Sequence, residues 1–332
     1  VPELVGKPLD ALRVFGADGA PIPFQVDEVT AEGEYVLPLG EEPNIDEGNR
    51  VLDSLDQIVF LWEDAAREGA PPLPGRDEVV VELSHGERKR TIFLAADRSL
   101  PLSKKRYIEY RHADERLTTP YFFAVFGRDR FHFEQAGVRD FAAGKYIDLT
   151  NELRIEIYLR MFWGLIPIRY TEESIVCVVK RYKVGPVRLI RRGDFHLNLG
   201  LGVKGSRAAV NQVCYPQLVG VPVQVHLPVR FSSFFRNAYI EMSPVISPRG
   251  RGFVFAVPEW DVRFALDGPE PVDTLVAIAP RDVFFKVDNG RLGYGWLLRT
   301  SIPRKLLRGS GFVFRRPSPR GIRRAGAGSA AS

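Results

Sequence analysis

From Asn151 to Phe162 the chain alternates without a fault. Leu153, Ile155, Ile157, Leu159 and Met161 share one parity, and Glu152, Arg154, Glu156, Tyr158 and Arg160 the other. Successive side chains of a strand point to opposite faces, so this spacing gathers five apolar groups on one face of a half-buried strand; a helix would scatter them around its circumference. Val223, Val225, Leu227 and Val229 alternate with Gln224, His226, Pro228 and Arg230 in the same way.

Shorter strands are expected at Leu12–Phe15, Pro23–Val26, Gln57–Trp62, Glu78–Leu83, Thr91–Ala95, Tyr121–Phe126, Ser174–Arg181, Val187–Arg192, Ala208–Cys214, Ala238–Met242, Gly252–Val257 and Asp282–Val287. Gly, Pro, Asn or Asp punctuates most of the intervals. No amphipathic helix longer than about three turns stands out, against a usual helix share of about a third. The expected class is all-β, a small N-terminal β domain followed by a large antiparallel β-sandwich. The polar, aperiodic stretch Asp97–Arg106 marks the boundary. The expected organisation is an acidic N-terminal β domain over 1–102, the sandwich over 103–302, and a basic tail over 303–332.

Charge supports that division. Residues 1–64 carry twelve more acids than bases, whereas residues 299–332 carry nine bases and no acid. The overall excess of five bases therefore belongs mainly to the tail. Opposite charges at the two ends permit head-to-tail contact between copies, or docking on another protein. Within the tail, Phe312, Phe314, Arg315 and Arg316 are the partner-binding candidates, because a purely solvated terminus has no use for the two phenylalanines. Nucleic acid is a poor fit, since the bases are confined to the end and not spread over a folded face. No apolar run approaches the roughly 20 residues of a membrane-spanning helix, so no transmembrane segment is expected. Val1-Pro2-Glu3 leads directly into folded-looking sequence, without a cleavable signal; removal of one by processing stays open.

Asn44, Asp46, Asn49, Asp53 and Asp56 crowd oxygen donors around Gly48, the chemistry that Ca²⁺ prefers. The helical calcium-loop spacing fails, because counting from Asn44 puts Gly48 at position 5 and Leu55 at position 12. A looser calcium site and a solvated acidic loop both remain, and no other cofactor is expected. Cys177 and Cys214 either pair, closing a loop that would contribute roughly 3–4 kcal/mol, or stay as two buried thiols. The five histidines (His85, His112, His132, His196, His226) show no zinc-ligand spacing. There is no Gly-x-Ser-x-Gly elbow and no phosphate-binding glycine loop. Gly200–Gly205 reads as a bend.

The most chemically loaded stretch is Tyr182–His196. Guanidinium forks grip carboxylates in pairs, so Arg188, Arg191 and Arg192 are candidates for holding an acidic sugar. Tyr158 or His196 would accept the proton, making Tyr158, His196, Arg188 and Arg192 the catalytic candidates if the chain is an enzyme. Trp163, Trp260 and Trp296 offer apolar platforms. Equally, Arg188 and Arg192 fit the wet face of one strand, paired with Glu152 or Glu156 across a sheet.

Gly185-Pro186-Val187-Arg188, with Leu12-Arg13-Val14-Phe15 and Pro21-Ile22-Pro23-Phe24-Gln25-Val26-Asp27, resembles phrases of secreted β-sandwich proteins of the polysaccharide lyase and galactose-mutarotase-like type. That resemblance implies a periplasmic or extracellular setting and a carbohydrate ligand, such as an acidic polysaccharide. It covers short pieces only, and the sequence lacks a complete catalytic set. The expected function is a non-catalytic protein of binding or assembly, an accessory subunit of a larger complex; the alternative is a lyase or hydrolase acting on acidic glycans.

Overall fold

The computed structural model describes residues 2–16, 19–67, 79–127, 133–161, 165–171, 175–198, 204–221, 235–246, 252–258, 262–265, 275–278, 283–298 and 310–313. Among them regular structure is β apart from five three-residue 3₁₀ turns. The chain divides into two compact units, Val1–Arg249 and Gly250–Ser332.

The first unit begins with β1 (Leu12–Phe15), β2 (Phe24–Asp27), β3 (Leu39–Gly40), β4 (Gln57–Phe60), β5 (Ala66–Arg67), β6 (Val79–His85) and β7 (Arg88–Ala96). It continues with β8 (Glu109–Arg111), β9 (Arg116–Thr118), β10 (Phe122–Phe126), β11 (Phe133–Asp140), β12 (Lys145–Met161) and β13 (Ile166–Thr171). Last come β14 (Ile175–Val184), β15 (Leu189–Asn198), β16 (Lys204–Cys214), β17 (Val219–Gly220) and β18 (Phe235–Ile246). The second unit holds β19 (Val254–Val257), β20 (Val262–Ala265), β21 (Leu275–Ile278), β22 (Val283–Asp288), β23 (Gly293–Leu298) and β24 (Ser310–Val313).

Every pairing among these strands is antiparallel. A four-stranded sheet of β1, β5, β6 and β7 lies with the hairpin-like pair β2–β4 over a core of Leu12, Val14, Ile22, Ile92 and Leu94. Phe15 and Phe93, both fully buried, form a second cluster on the opposite face of β1, which is therefore covered on both sides. The seven-stranded sheet runs β13-β12-β11-β10-β9-β8, with β18 also on β12. The five-stranded sheet runs β17-β16-β15-β14-β3. Leu117, Ala124 and Phe126 of the former share one apolar cluster with Leu189 and Cys214 of the latter, so these two sheets face each other.

The alternation that opened the sequence reading becomes the distal half of β12, which pairs β13 through Glu156–Met161 and β18 through Thr150–Met161. β3 is only two residues long, yet it ties distant parts of the chain together. Leu39 pairs Tyr182 and Gly40 pairs Arg181, so the acidic N-terminal region supplies an edge to a sheet built from residues far downstream. A side chain at position 40 would come within 2.4 Å of the Lys180 carbonyl, and φ is +118° there, so only glycine allows the approach. No helix among the described residues is long and apolar enough to cross a membrane.

Candidate functional site

The β14–β15 hairpin turns at Gly185-Pro186, where the Gly185 amide donates to the Arg188 carbonyl at 3.0 Å. Gly185 has a specific reason: a Cβ would fall 1.9 Å from Gln25 Oε1. That oxygen accepts from the amides of Val187 (3.2 Å) and Arg188 (2.8 Å), while Gln25 Nε2 donates to both Asp27 oxygens at 2.9 Å. The turn phrase that resembles a lyase motif thus has a local cause, the docking of β2.

Arg188 is 3% exposed and Asp27 1%. Arg188 donates from Nε to Asp27 Oδ2 (2.6 Å), from Nη1 to the Tyr215 hydroxyl (2.6 Å) and from Nη2 to Gln57 Oε1 (2.7 Å). Its guanidinium lies between the rings of Tyr35 and Tyr215, 5.4 and 5.5 Å from their centroids. Lys183 approaches the second Asp27 oxygen at 3.0 Å. Burial opposes the charge on Arg188, but Asp27 and Tyr215 outweigh it and hold the group above its ordinary value.

Arg191 points to the other face of the strand, its guanidinium 4.0 Å from the Phe126 ring centroid. It donates to Gln212 Oε1 at 2.5 Å and to Glu115 Oε2. Tyr110 donates to the same Glu115 oxygen at 2.7 Å, and His112 Nδ1 lies 2.7 Å from the other. Glu115 sits at φ +50°, outside the range a side chain normally accepts, and is buried by these partners. Burial pushes the Tyr110 hydroxyl well above its usual value. Arg192 pairs with Glu34, and burial lowers its proton affinity.

The cross-sheet pairing of Arg188 and Arg192 with Glu152 or Glu156 is therefore corrected. Both acids lie on β12, in the seven-stranded sheet, and the actual partners are Asp27 and Glu34 of the N-terminal region. The same region sends Glu41 and Glu42 to Lys180 and Asp64 to Lys105. Five of its acids thus meet bases between 105 and 192 of the same chain. Asp27, Glu34 and Glu115 were missed as site residues because nothing local marks an acid whose partner lies in another sheet.

Each of the remaining described candidates has its own surroundings. Tyr158 accepts a bond from Arg160 Nε at 3.0 Å on β12, whereas His196 stands on β15 opposite Val176 and Arg207. Trp296 stacks on Phe285 at 5.7 Å, which in turn stacks on Phe255 at 5.6 Å, so it belongs to an aromatic row across β23, β22 and β19. Phe312 lies on β24, opposite Val276. Trp163, Trp260, Phe314, Arg315 and Arg316, with the strand expected at Val223–Val229, lie outside the described residues.

In the acidic loop, Asn44 Oδ1 accepts from Leu37 N (2.8 Å), Asn49 Oδ1 from Val51 N (2.8 Å) and Asp53 Oδ1 from Leu55 N (2.7 Å). Asp56 accepts from the amides of Val29 (2.9 Å) and Asp53 (3.0 Å). These oxygens serve the loop's own backbone, while Asp46 lies on the 3₁₀ turn Ile45–Glu47. Among the described residues, no three His, Cys, Asp or Glu side chains are grouped to hold a metal.

The disulfide alternative fails on register. Cys177 lies opposite Phe195 and Cys214 opposite Leu189, on the two strands flanking β15. Six residues along a strand amount to about 20 Å, beyond any disulfide. Both cysteines are free and buried, and burial pushes each thiol up to about 12.

The second unit carries a groove of about 440 Å³ over the β22–β23 hairpin. Phe284, Lys286 and Asp288 share one face of β22, opposite Leu297, Gly295 and Gly293 of β23. Lys286 and Asp288 form an ion pair at 2.8 Å. The two glycines let the facing side chains lie close, since a Cβ at 295 would come within 2.5 Å of the Phe284 ring and one at 293 within 2.5 Å of Asp288 Cβ. Phe284 and Leu297 are 37% and 59% exposed.

No protein family matches this sequence, and no curated protein matches it. Among solved structures, an α-mannosidase from Enterococcus faecalis V583 is similar over 87% of this chain and 33% of its own, at 6% identity and a TM-score of 0.35. A protein in the glycosyl hydrolase family 38 from Enterococcus faecalis is similar over 86% of this chain and 33% of its own, at 8% identity and a TM-score of 0.33. The chain spans about a third of the length of these structures. Neither is described as a polysaccharide lyase or a mutarotase.

Proposed function

We propose that this chain is a non-catalytic, extracytoplasmic β protein that binds a saccharide on its second unit. The observation that carries the reading is the hairpin groove, where the exposed Phe284 ring borders an ion pair above two glycines. A sugar presents an apolar ring face and a rim of hydroxyls that both donate and accept. Phe284 suits the first, and Lys286 with Asp288, a donor beside an acceptor, suits the second. Within that pair the charges offset each other, which suits a neutral saccharide; Arg291 is the other ionised group of the lining.

Support for a non-catalytic role comes from the arginines. Arg188 and Arg191 hold the buried Asp27 and Glu115, and Arg192 holds the part-exposed Glu34, so a uronate would have to displace carboxylates of the same chain. Calorimetric titration against neutral and uronate-containing oligosaccharides tests the reading. Heat from neutral sugars, abolished in Phe284→Ala and Lys286→Ala, is the expected outcome. Ultraviolet absorbance from an unsaturated uronate, or new reducing ends, would replace this reading with the enzyme.

A further inference from the structure

Leu117, Ala124 and Phe126 enter the apolar cluster that the seven-stranded and five-stranded sheets share, so the alternate residues Arg116 and Phe123 belong to the other face of the seven-stranded sheet. Arg116 lies over the Phe123 ring at 4.5 Å. From there a row of contacts crosses the sheet. Tyr146 meets Phe123 edge-on at 5.7 Å, and Arg139 lies 6.0 Å from the Tyr146 ring and 5.5 Å from the Phe141 ring. Phe141 in turn meets Tyr121 edge-on at 5.9 Å. This end of the row is open, with Phe141 62% and Tyr121 37% exposed. Arg139 is its polar group. The Arg139 Nε is shut in without a hydrogen-bond partner, and among the described residues no carboxylate pairs with the guanidinium. The neighbouring acids are committed elsewhere. Asp140 is buried and accepts from the amides of Ala142 (3.0 Å) and Ala143 (3.1 Å). Asp148, one diagonal step away opposite Gly137, gives one oxygen to Gln135 Nε2 at 2.9 Å and keeps the other closed off from water. Glu109 on β8 stands three strands from Arg139, about 14 Å. Lys145, exposed where the turn rejoins β12, adds charge of the same sign as Arg139.

We propose that Arg139, Phe141 and Tyr121 bind a uronate unit of an acidic polysaccharide, at a site separate from the hairpin groove of the second unit. A guanidinium held flat against rings offers its outer N–H groups as a fork, the geometry that a carboxylate matches. The apolar C–H face of the same sugar then lies on Phe141, the more exposed ring. The two chemistries, an anion and an apolar face on one ring-shaped unit, are side by side here because Arg139 stacks on Phe141. An open platform suits a chain passing across it, whereas a small aromatic acid draws its affinity from enclosure. The contrast with the groove is one of charge. There Lys286 is offset by Asp288 at 2.8 Å, while Arg139 has no such partner among the described residues.

Calorimetric titration of the full chain with a linear uronate tetramer, a neutral tetramer and benzoate tests the site. The uronate tetramer should bind, and salt should weaken it. Arg139→Gln and Phe141→Ala should each weaken binding by about tenfold or more, and Arg139→Lys should recover part of the loss. Phe284→Ala, which removes the ring of the groove, should leave uronate binding intact, so the two sites fail separately. Circular dichroism checks the fold of each variant, and Phe141→Ala, at an exposed turn position, carries the test if Arg139→Gln unfolds. No heat from the uronate tetramer at low salt, or unchanged binding in folded Phe141→Ala, overturns the proposal. Benzoate binding as tightly as the tetramer overturns the saccharide and makes this a site for aromatic acids. Neutral tetramer bound equally well, and lost in the same variants, overturns the role of charge. A wild-type dimer that Phe141→Ala converts to monomer overturns the site altogether, since the rings would then be a contact between copies.

Discussion

Arg188 and Asp27 show how differently a charge behaves once water is gone. An exposed pair such as Arg98 with Asp10 stays hydrated and screened and contributes little, whereas breaking a buried pair strands a charge without compensation. Arg188→Ala or Asp27→Asn should each cost about 3–5 kcal/mol in urea unfolding. Arg188→Lys should cost nearly as much, since a single ammonium cannot reach Asp27, Tyr215 and Gln57 together. The buried thiols give a pH test. Their folded values, about 12, lie above the ordinary 9.0, so the folded state holds these protons more tightly than the unfolded chain. Their contribution is intact below pH 9 and fades as pH climbs toward 12. Urea midpoints should therefore fall over that window, and less steeply in Cys177→Ala/Cys214→Ala. The sequence shows which residues can do chemistry here, but not with whom. Asp27 lies 161 residues from Arg188, and only the fold brings them within 2.6 Å.

The β14–β15 hairpin carries the same lesson one level up. Gly185 reads as a generic turn glycine, yet its constraint comes from Gln25 on another strand. Gly185→Ala should destabilise by about 1–3 kcal/mol through overpacking. Adding Gln25→Ala should cost less than the sum of the two single changes, and a double-mutant cycle in urea measures that coupling. Alternation located β12 because its side chains keep one parity over a long run. It stopped β15 at Arg192, whereas the strand continues to Asn198. The misleading signal is Gly193, which looks like a break. Its missing Cβ makes room for Cys177 Sγ, 2.3 Å from where that atom would sit. β3 is two residues long and has no period to detect. The groove was invisible for a related reason, since Gly293 and Gly295 suggest weak strand propensity until they are set against Asp288 and Lys286.

Across the molecule, part of the charge separation that suggests head-to-tail assembly is resolved inside the first unit. Asp27 meets Arg188 below the surface, where salt screens little, while Glu34, Glu41, Glu42 and Asp64 make contacts in which at least one partner is open to water. Raising ionic strength should therefore leave the first unit's urea midpoint nearly unchanged, and a large loss would mean that the exposed pairs carry the docking. The tail needs finer dissection than its charge implies. Residues 310–313 form β24, with Phe312 opposite Val276 and Leu275 opposite Val313, so a chain ending at residue 302 loses a strand along with its bases. Two truncations separate these effects. Ending at 302 should leave β21 without its partner and lower the thermal midpoint of the second unit. Ending at 313 keeps the pairing and removes Arg315, Arg316, Arg320, Arg323 and Arg324. If light scattering shows salt-sensitive association of the intact chain that the 313 truncation abolishes, the basic residues act as a contact surface. Association lost only in the 302 truncation would instead trace to the missing strand, an unpaired edge at β21 being a structural defect and not a lost charge.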